Sequence, residues 1–182
     1  MGLRITAGTL RGRKVPVPPD EVRPTSERAR QAYFNIVGER IGGARFLDLF
    51  AGSGIFSFEA VSRGAASAVA VDASHRNCAA IDRLAAGWNV QVQAMPGDAL
   101  AGMPRLGSAV FHVVYADPPY DWGKHAALLS AIDDSAPLAS EALVAIEHRR
   151  ESSPFEGTET RRLAFVRRAE YGEVWISMWK AE

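Results

Sequence analysis

The sequence predicts an α/β fold with a doubly wound, mostly parallel sheet and an antiparallel hairpin at its C-terminal edge. From residue 45 onward, short apolar segments alternate with helical ones. The predicted strands are apolar almost throughout, which is typical of parallel strands covered by helices on both faces. The last two β-rich segments have no helix between them, so they form the antiparallel hairpin. A small N-terminal β-hairpin and helix precede the sheet.

The N-terminal elements are indicated by turn and capping residues. Two short extended segments flank Gly8-Thr9 and end in a proline-rich stretch, which predicts a small hairpin. The segment RPTSERARQAYFNIVGER then predicts a helix with Pro24 at its start and Thr25 or Ser26 as its N-cap. Its apolar stripe comprises Ala29, Tyr33, Ile36 and Val37. We assign residues 1–42 to this N-terminal region and residues 43–182 to the main domain.

The remaining elements follow in alternation. The predicted strands of the main sheet are RFLDLF, SAVAVD, VQVQAM, VFHVVYA and EALVAIEH. Helices are predicted after Gly54, over 74–87 and over 124–134. The closing β-rich segments lie near 161–168 and 172–179, after the charged loop RRESSPFEGTET.

Composition excludes several classes of protein. A chain of 182 residues is long enough for one well-packed domain. It has no apolar run long enough to cross a bilayer and no secretion-signal pattern at its N-terminus. Cys78 is the only cysteine, so no internal disulfide is expected and the default location is the reducing cytoplasm. The four histidines lack close metal-ligand spacing, and we expect no metal site.

The net charge of zero conceals an asymmetry along the chain. Residues 1–45 contain nine Lys or Arg and four acidic residues, whereas the remainder contains twelve basic and seventeen acidic residues. A basic N-terminal region on an acidic body favours a polyanionic partner. The alternative is a solvated basic face without a partner.

The stretch FLDLFAGSGIF predicts a ligand-binding turn. It places Asp48 in a strand, then Gly52-Ser53-Gly54 in a tight turn, then a helix. Backbone N–H groups in such a turn face a ligand at the carboxyl edge of the sheet. A dinucleotide fingerprint needs Gly or Ala where Ser57 stands, and the Asp48 carboxylate would repel a pyrophosphate. The turn therefore favours a ligand with a cationic or amino end.

Acidic residues also end the next two strands. Asp72 comes eighteen residues after Gly54, and Asp98 follows the third strand in MPGDAL. A carboxylate at Asp72 can accept hydrogen bonds from ribose hydroxyls, and Asp98 would lie near an adenine ring at the same edge. The alternative is that both residues only cap the helices that follow them.

The stretch VFHVVYADPPYDW ends an apolar strand on Asp117-Pro118-Pro119-Tyr120. Two consecutive prolines cannot continue a strand, because they lack the backbone N–H that pairs with a neighbour. The strand therefore ends in a rigid turn. Alone, this could be a proline-terminated strand with a surface tyrosine.

The two motifs DLFAGSG and ADPPYDW together resemble the class I S-adenosylmethionine-dependent methyltransferases that methylate amino groups. They stand in the family's order, about 63 residues apart from Gly54 to Asp117. Two N-terminal segments, RITAGTLRGRKVPVP and VRPTSERARQAYFNI, narrow the resemblance to the bacterial 16S ribosomal RNA guanine-N2 methyltransferase family, RsmD. The whole chain resembles this family from end to end. The resemblance implies a Rossmann-like sheet, S-adenosylmethionine as cofactor, and direct in-line methyl transfer without a covalent enzyme intermediate.

The chemistry of such a transfer accounts for the prolines. The exocyclic amine of a purine is a poor nucleophile because its lone pair is delocalised, and it develops positive charge as it attacks. Oxygen acceptors fixed in advance stabilise that charge, and Asp117 with the Pro118 carbonyl can supply two. Tyr120 offers a flat ring for a base removed from its stack. Whether that base is guanine or adenine stays open from the motif alone.

The resemblance also implies which residues form the sites. The cofactor-binding residues would be Asp48, Phe50, Ala51, Gly52, Ser53, Gly54, Asp72, Asp98 and Ala99. The catalytic turn would comprise Asp117, Pro118, Pro119 and Tyr120. The phosphate-contacting residues of the N-terminal region would be Arg4, Arg11, Arg13, Lys14, Arg23, Arg28 and Arg30. The implied partner is 16S rRNA within an assembling small subunit, and we expect a monomer.

Three other functions remain open from the sequence. An adenine-N6 methyltransferase acting on DNA shares the acid-Pro-Pro-aromatic turn but usually carries a separate target-recognition domain. A protein glutamine methyltransferase typically has Asn at the position of Asp117. An RNA-binding chaperone with a vestigial pocket is the non-enzymatic alternative, which the intact motif residues disfavour.

Overall fold

The computed structural model describes residues 2–17, 27–119, 121–150 and 154–182. Arg23, Pro24, Thr25, Ser26 and Tyr120 lie outside the described residues, so their predicted roles stay predictions. The strands are β1 (Gly2–Arg4), β2 (Lys14–Pro16), β3 (Arg45–Leu49), β4 (Ser67–Asp72), β5 (Val92–Pro96), β6 (Phe111–Ala116), β7 (Leu138–Arg149), β8 (Leu163–Tyr171) and β9 (Val174–Ala181). The helices are α1 (Glu27–Val37), α2 (Ile55–Ser62), α3 (His75–Trp88), α4 (Ala99–Gly102) and α5 (His125–Ser135).

A seven-stranded sheet of order β5-β4-β3-β6-β7-β9-β8 forms the centre of the molecule. The strands from β5 across to β7 are parallel, whereas β9 runs antiparallel to both β7 and β8. The predicted fold class is confirmed, including the antiparallel C-terminal hairpin.

Helices cover both faces of this sheet, because alternate side chains of each strand point to opposite faces. Phe46 of β3 and Tyr115 of β6 belong to the apolar cluster that contains residues of α1, α2 and α3. Leu47 of β3 and Val114 of β6 belong to a second cluster, on the face covered by α4 and α5. Both faces of the strands are therefore buried, as their unbroken apolar sequences predict.

The N-terminal hairpin, β1 paired with β2, packs against α2 rather than standing apart. Its side chains Ile5, Leu10 and Val15 are buried in the same cluster as the residues of α2. Gly8 in its loop has φ +81°, and a Cβ there would lie 1.7 Å from the carbonyl oxygen of Ser62, so this contact requires glycine. The loop therefore lies at the C-terminal end of α2.

Several element boundaries differ from the prediction. Helix α3 was predicted over 74–87 but spans His75–Trp88, and Asn89 with φ 54° provides its left-handed C-cap. Strand β7 begins at Leu138, and β8 and β9 each begin two residues later than predicted. Helix α4 was not predicted, since four residues are too few to show helical periodicity.

Candidate active site

The glycine turn and the Asp-Pro-Pro turn lie side by side at the carboxyl edge of the sheet. They follow β3 and β6, which pair in parallel with Leu49 opposite Ala116. The backbone N–H of Asp117 donates to the carbonyl oxygen of Leu49 at 3.3 Å, so the hydrogen-bonded ladder continues into both turns. The chain crosses from β3 to β4 on one side, while β6 lies on the other. Ligands bind at such a switch point in doubly wound sheets.

Asp72 holds the glycine turn against the end of β4. Its Oδ2 accepts a hydrogen bond from the backbone N–H of Gly52 at 2.8 Å, and its Oδ1 accepts from the N–H of Ser74 at 2.8 Å. Asn77 Nδ2 also donates to Oδ1, at 3.2 Å. The N-cap of α3 is Ser74, whose side chain accepts from the N–H of Asn77. Asp72 is therefore more than a helix cap, and its Oδ2, to which one hydrogen bond is described, has a second lone pair for a ligand.

Three residues of the glycine turn, Phe50, Gly52 and Gly54, have left-handed backbone conformations. Gly54 has φ +76°, and a Cβ there would lie 2.9 Å from Cγ1 of Ile81 in α3. Phe50 has φ 64° although it is not glycine, a conformation that costs energy for a bulky residue. Strained backbone conformations are concentrated at ligand-binding sites, and Phe50 lies directly after β3, at the start of the glycine turn.

Asp48 is buried beneath the glycine turn. Only 2% of the residue is exposed, and Oδ2 accepts hydrogen bonds from Ser57 N at 3.0 Å and Ser57 Oγ at 2.7 Å. Burial raises the pKa of Asp48 to about 7; the Ser57 hydrogen bonds oppose this rise, while the charges of Asp117 and Asp72 add to it. Through its hydrogen bonds to Ser57, Asp48 anchors the start of α2, and it is a buried titratable group next to the glycine turn. Sequence reasoning noted Ser57 only as a departure from another motif.

Asp98 follows β5 at the same edge and is exposed. Its Oδ1 accepts from the backbone N–H groups of Leu100 at 2.9 Å and Ala101 at 3.0 Å, so it is the N-cap of α4. The capping alternative thus describes its contacts in the structure. Its contact with an adenine, and that of the buried Ala99 beside it, remain proposals.

The Asp-Pro-Pro turn is held from both sides. Pro118 is buried and Pro119 is exposed. The carbonyl oxygen of Pro119 accepts a hydrogen bond from the N–H of Trp122 at 2.9 Å, which closes a tight turn. The Trp122 ring meets the Phe50 ring edge-on with centroids 5.0 Å apart. Trp122 thus links the two turns, a role that sequence reasoning missed although the residue stands in the quoted motif.

A cleft of about 350 Å³ adjoins the glycine turn. Its walls come from β2, the turn and α3: Val15, Pro16, Gly52, Ser53, Asn77, Ala80, Arg83 and Leu84. Ser53 is 6% exposed, and its Oγ has no hydrogen-bond partner among the described residues. A buried hydroxyl usually has a partner, so this one is available to a ligand. Nothing in the sequence singled out Asn77 or Arg83.

Arg30 is wrongly predicted as a phosphate contact. Its side chain is fully buried, lies 3.5 Å from Glu59 Oε2 and donates from Nη2 to the carbonyl oxygen of Arg4 at 2.7 Å. Burial lowers its pKa, which the Glu59 charge partly restores. Arg30 belongs to the junction between α1, α2 and the hairpin. Its position on the apolar side of α1 could have indicated this, because Tyr33, Phe34 and Val37 follow it by three, four and seven residues.

The remaining basic residues of the N-terminal region are spread along the molecule. Arg4, Arg11, Arg13, Lys14 and Arg28 are exposed. Arg13 places its guanidinium carbon 5.2 Å from the ring centroid of Trp88, the last residue of α3. Because α3 starts near the carboxyl edge and its 14 residues span about 20 Å, Arg13 lies toward the opposite edge. The structure brings Asp48, Asp72 and Asp117 together and leaves Arg13 remote from them.

Comparison with known proteins identifies the family. The family model described as "Conserved hypothetical protein 95" matches residues 3–180. "Ribosomal RNA small subunit methyltransferase D" of Escherichia coli K12 is 34% identical over 152 residues, which cover 82% of this chain and 76% of that protein. This chain belongs to the RsmD family of S-adenosylmethionine-dependent methyltransferases. YlbH of Bacillus subtilis 168, at 30% identity, covers 98% of both chains.

Solved structures agree with the RsmD assignment. The yhhF protein of Escherichia coli superposes with a TM-score of 0.85 at 29% identity, covering 100% of this chain and 99% of that one. A protein of Thermus thermophilus gives a TM-score of 0.81 at 26% identity, covering 97% of this chain and 98% of that one. The predicted family is confirmed by these relatives and by the family model.

The cofactor of this RsmD-family chain is S-adenosylmethionine, and the residues at the edge fit it. Its sulfonium and ammonium groups are cationic, and the edge gathers Asp48, Asp72 and Asp117, whose mutual repulsion contributes to the raised pKa of Asp48. Asp72 and the buried Ser53 hydroxyl provide polar contacts. A cation would relieve the repulsion among the three carboxylates.

The described ranges were also compared with the requirements of membrane spans and metal sites. Within them, no helix combines the length and apolar character needed to span a bilayer. The same residues contain no group of three or more His, Cys, Asp or Glu side chains placed to bind a metal ion.

Proposed function

We propose that this protein transfers a methyl group from S-adenosylmethionine to the exocyclic N2 amine of a guanine in 16S ribosomal RNA. The observation that carries the proposal is the Asp117 turn hydrogen-bonded to Leu49, beside the glycine turn of the cofactor site. The name of the Escherichia coli relative supports ribosomal RNA of the small subunit as the substrate class.

The side chains around the turn would act on the target amine. Bound S-adenosylmethionine supplies the electrophilic methyl group. The Asp117 carboxylate and the Pro118 carbonyl accept hydrogen bonds from the amine as positive charge develops on its nitrogen. The Trp122–Pro119 hydrogen bond keeps the turn in one conformation, so little reorganisation is needed when the amine attacks.

The nucleotide must leave its stack to reach this edge. Extrusion costs least in an exposed loop of single-stranded RNA, and Tyr120 would then support the base. We infer that the enzyme acts as a cytoplasmic monomer on RNA within an assembling small subunit. The N-terminal Arg4, Arg11, Arg13, Lys14 and Arg28 would contribute phosphate contacts, with Arg23 beside them.

The test offers labelled S-adenosylmethionine with four substrates separately: small ribosomal subunits, naked 16S RNA, duplex DNA and release factors. We expect label in ribosomal RNA, recovered after nucleoside digestion as N2-methylguanosine. Label recovered as N6-methyladenosine, or found in DNA or protein alone, would refute the proposal. Cofactor binding without transfer to any substrate would favour the RNA-binding chaperone.

A further inference from the structure

We propose that the C-terminal hairpin carries a second RNA contact surface beside the Asp117 turn. This surface, called here the C-terminal patch, consists of Arg149, Arg150, Arg168 and Trp175. It would bind a single-stranded nucleotide adjoining the target, with the base on Trp175 and the phosphates on the arginines. The inference rests on the proposed function only in taking RNA as the substrate.

The patch lies at the same edge of the sheet as the catalytic turn. Strands β6 and β7 pair in parallel with Ala116 opposite Ile146. Arg149 is three residues beyond Ile146, as Pro119 is three residues beyond Ala116, and neighbouring strands are about 4.8 Å apart. Arg149 Nη2 lies 3.9 Å from Oδ1 of Asp121, the second residue after Pro119. The catalytic turn and the patch therefore adjoin.

Trp175 and Arg168 form a flat, charged platform. The guanidinium carbon of Arg168 lies 3.8 Å from the centroid of the Trp175 ring, the distance of a stacked pair. Glu170 Oε1 accepts hydrogen bonds from Arg168 Nε at 3.3 Å and Nη2 at 3.1 Å. Proteins that bind single strands use aromatic rings with arginine in this way, because every base has a π-face.

Two further cations stand next to this platform. Arg149 pairs with Val174, the residue before Trp175, and the N–H of Arg150 donates to the carbonyl oxygen of Glu173 at 3.0 Å. Both arginines are exposed at the point where β7 ends. Because Trp175 pairs with His148, Arg149 starts from the opposite face of the sheet to Trp175, and the two arginines border the platform at the rim where β7 ends.

Acidic residues lie among the arginines of the patch, and a phosphate must compete with them. Asp121, Glu170 and Glu173 lie beside it, and Asp121 and Glu170 form ion pairs with Arg149 and Arg168. These pairs are solvent-exposed, since the side chains of Arg149 and Arg168 are 61% and 41% exposed. Exposed pairs contribute little free energy, so a phosphate can displace the carboxylate.

The experiment removes two patch arginines and compares the result with a matched pair elsewhere. The test variant is Arg150→Ala with Arg168→Ala, and the control is Arg40→Ala with Arg45→Ala. Arg40 and Arg45 are also exposed but precede or begin β3, at the opposite edge of the sheet. The probe is a short, fluorescent, guanine-containing single-stranded RNA, titrated at several salt concentrations.

We expect the Kd of the test variant for this RNA to rise roughly tenfold, with a salt slope reduced by about 1.4 for two lost phosphate contacts. The control variant should keep the wild-type Kd and slope, and S-adenosylmethionine affinity should be unchanged in both. A second pair of variants tests whether a base stacks on residue 175. Trp175→Phe keeps an aromatic ring and should keep the RNA affinity, whereas Trp175→Leu should weaken it. The two variants should have equal Tm values.

A test variant that binds RNA like the control overturns the patch. A defect seen only with assembled subunits and not with RNA also overturns it, and points to a ribosomal protein as the partner. Methylation by the wild type is scored separately. If the test variant binds RNA more weakly but the wild type methylates no RNA, only the proposed function is refuted. If the wild type methylates RNA but the test variant binds RNA as tightly as the wild type, only the proposal for the C-terminal patch is refuted.

Discussion

At the scale of single residues, the carboxylates of the site differ in their surroundings and so in their tasks. Asp72 is half-buried and holds backbone N–H groups of the glycine turn and of α3. Asp48 is enclosed and hydrogen-bonded to Ser57. Asp117 lies at the rim, on the turn that would meet the substrate. Asp72 thus anchors the turn and Asp48 is a buried titratable group, while for Asp117 we propose the role of hydrogen-bond acceptor.

Asp117→Ala should lower the turnover number by about 10²–10³-fold, because an acceptor for the developing charge is lost. Affinity for S-adenosylmethionine should stay nearly unchanged, since Asp72 and the glycine turn are untouched. Single-turnover transfer and calorimetric titration measure the two quantities. If cofactor binding collapsed in this variant, the assignment of Asp117 to the target amine would be wrong.

Asp48 should make stability depend on pH. Its pKa is about 7 in the folded chain and 3.8 in an ordinary environment, so the folded state retains a proton that the unfolded chain has released. The stabilisation is complete below 3.8 and is lost as pH rises through 7. The free energy of unfolding of wild type relative to Asp48→Asn should fall across that window. Parallel pH curves for the two proteins would show that Asp48 is already ionised.

At the scale of elements, buried polar contacts join the N-terminal hairpin to α2. Glu59 is fully buried and accepts from the N–H groups of Thr6 at 2.9 Å and Ala7 at 3.2 Å, while Arg63 Nε donates to it at 2.8 Å. Ser62 Oγ accepts from the N–H of Leu10 at 2.9 Å. Since α2 begins at the glycine turn, the hairpin and the cofactor site share one rigid element.

Glu59→Ala should destabilise the protein by about 3–5 kcal/mol, because Arg30 would be left as an uncompensated buried charge. Urea unfolding measures this loss, and the amides of Thr6 and Ala7 should exchange faster with solvent. Glu170→Ala, which breaks an exposed pair on β8, is the matched control and should change stability by less than about 1 kcal/mol. Equal effects of the two variants would contradict a structural role for Glu59.

At the scale of the whole molecule, periodicity and strand-end chemistry predicted the sheet, its C-terminal hairpin and the position of Asp72 relative to the glycine turn. These features could be predicted because each strand is visible in its own short segment of sequence, and the carboxyl ends of parallel strands lie at one edge of the sheet. The burial of Arg30 and the aromatic contacts of Trp122 depend on residues far away in the chain. Likewise, the basic N-terminal composition did not reveal that Arg13 lies at the far edge, since that depends on how the hairpin docks.

The distance of Arg13 from the carboxyl edge leads to a length-dependent prediction. Arg11→Ala with Arg13→Ala should weaken binding of 16S RNA and flatten its salt dependence, but should leave a short target-loop oligonucleotide unaffected. Arg13 stacks on Trp88, at the end of α3 remote from the carboxyl edge, so a short oligonucleotide held at Asp117 should not contact it. Filter binding with both RNAs provides the comparison. A similar loss on the short RNA would place the hairpin tip within reach of the target.

The hydrogen bond from Asp117 to Leu49 makes donor and acceptor turns extensions of two adjacent strands. The separation of the two turns is then set by the roughly 4.8 Å spacing of neighbouring strands, a length that side-chain substitutions scarcely alter. We therefore expect substrate choice to evolve in the loops and hairpins around the turns, while the spacing between the turns is inherited with the backbone.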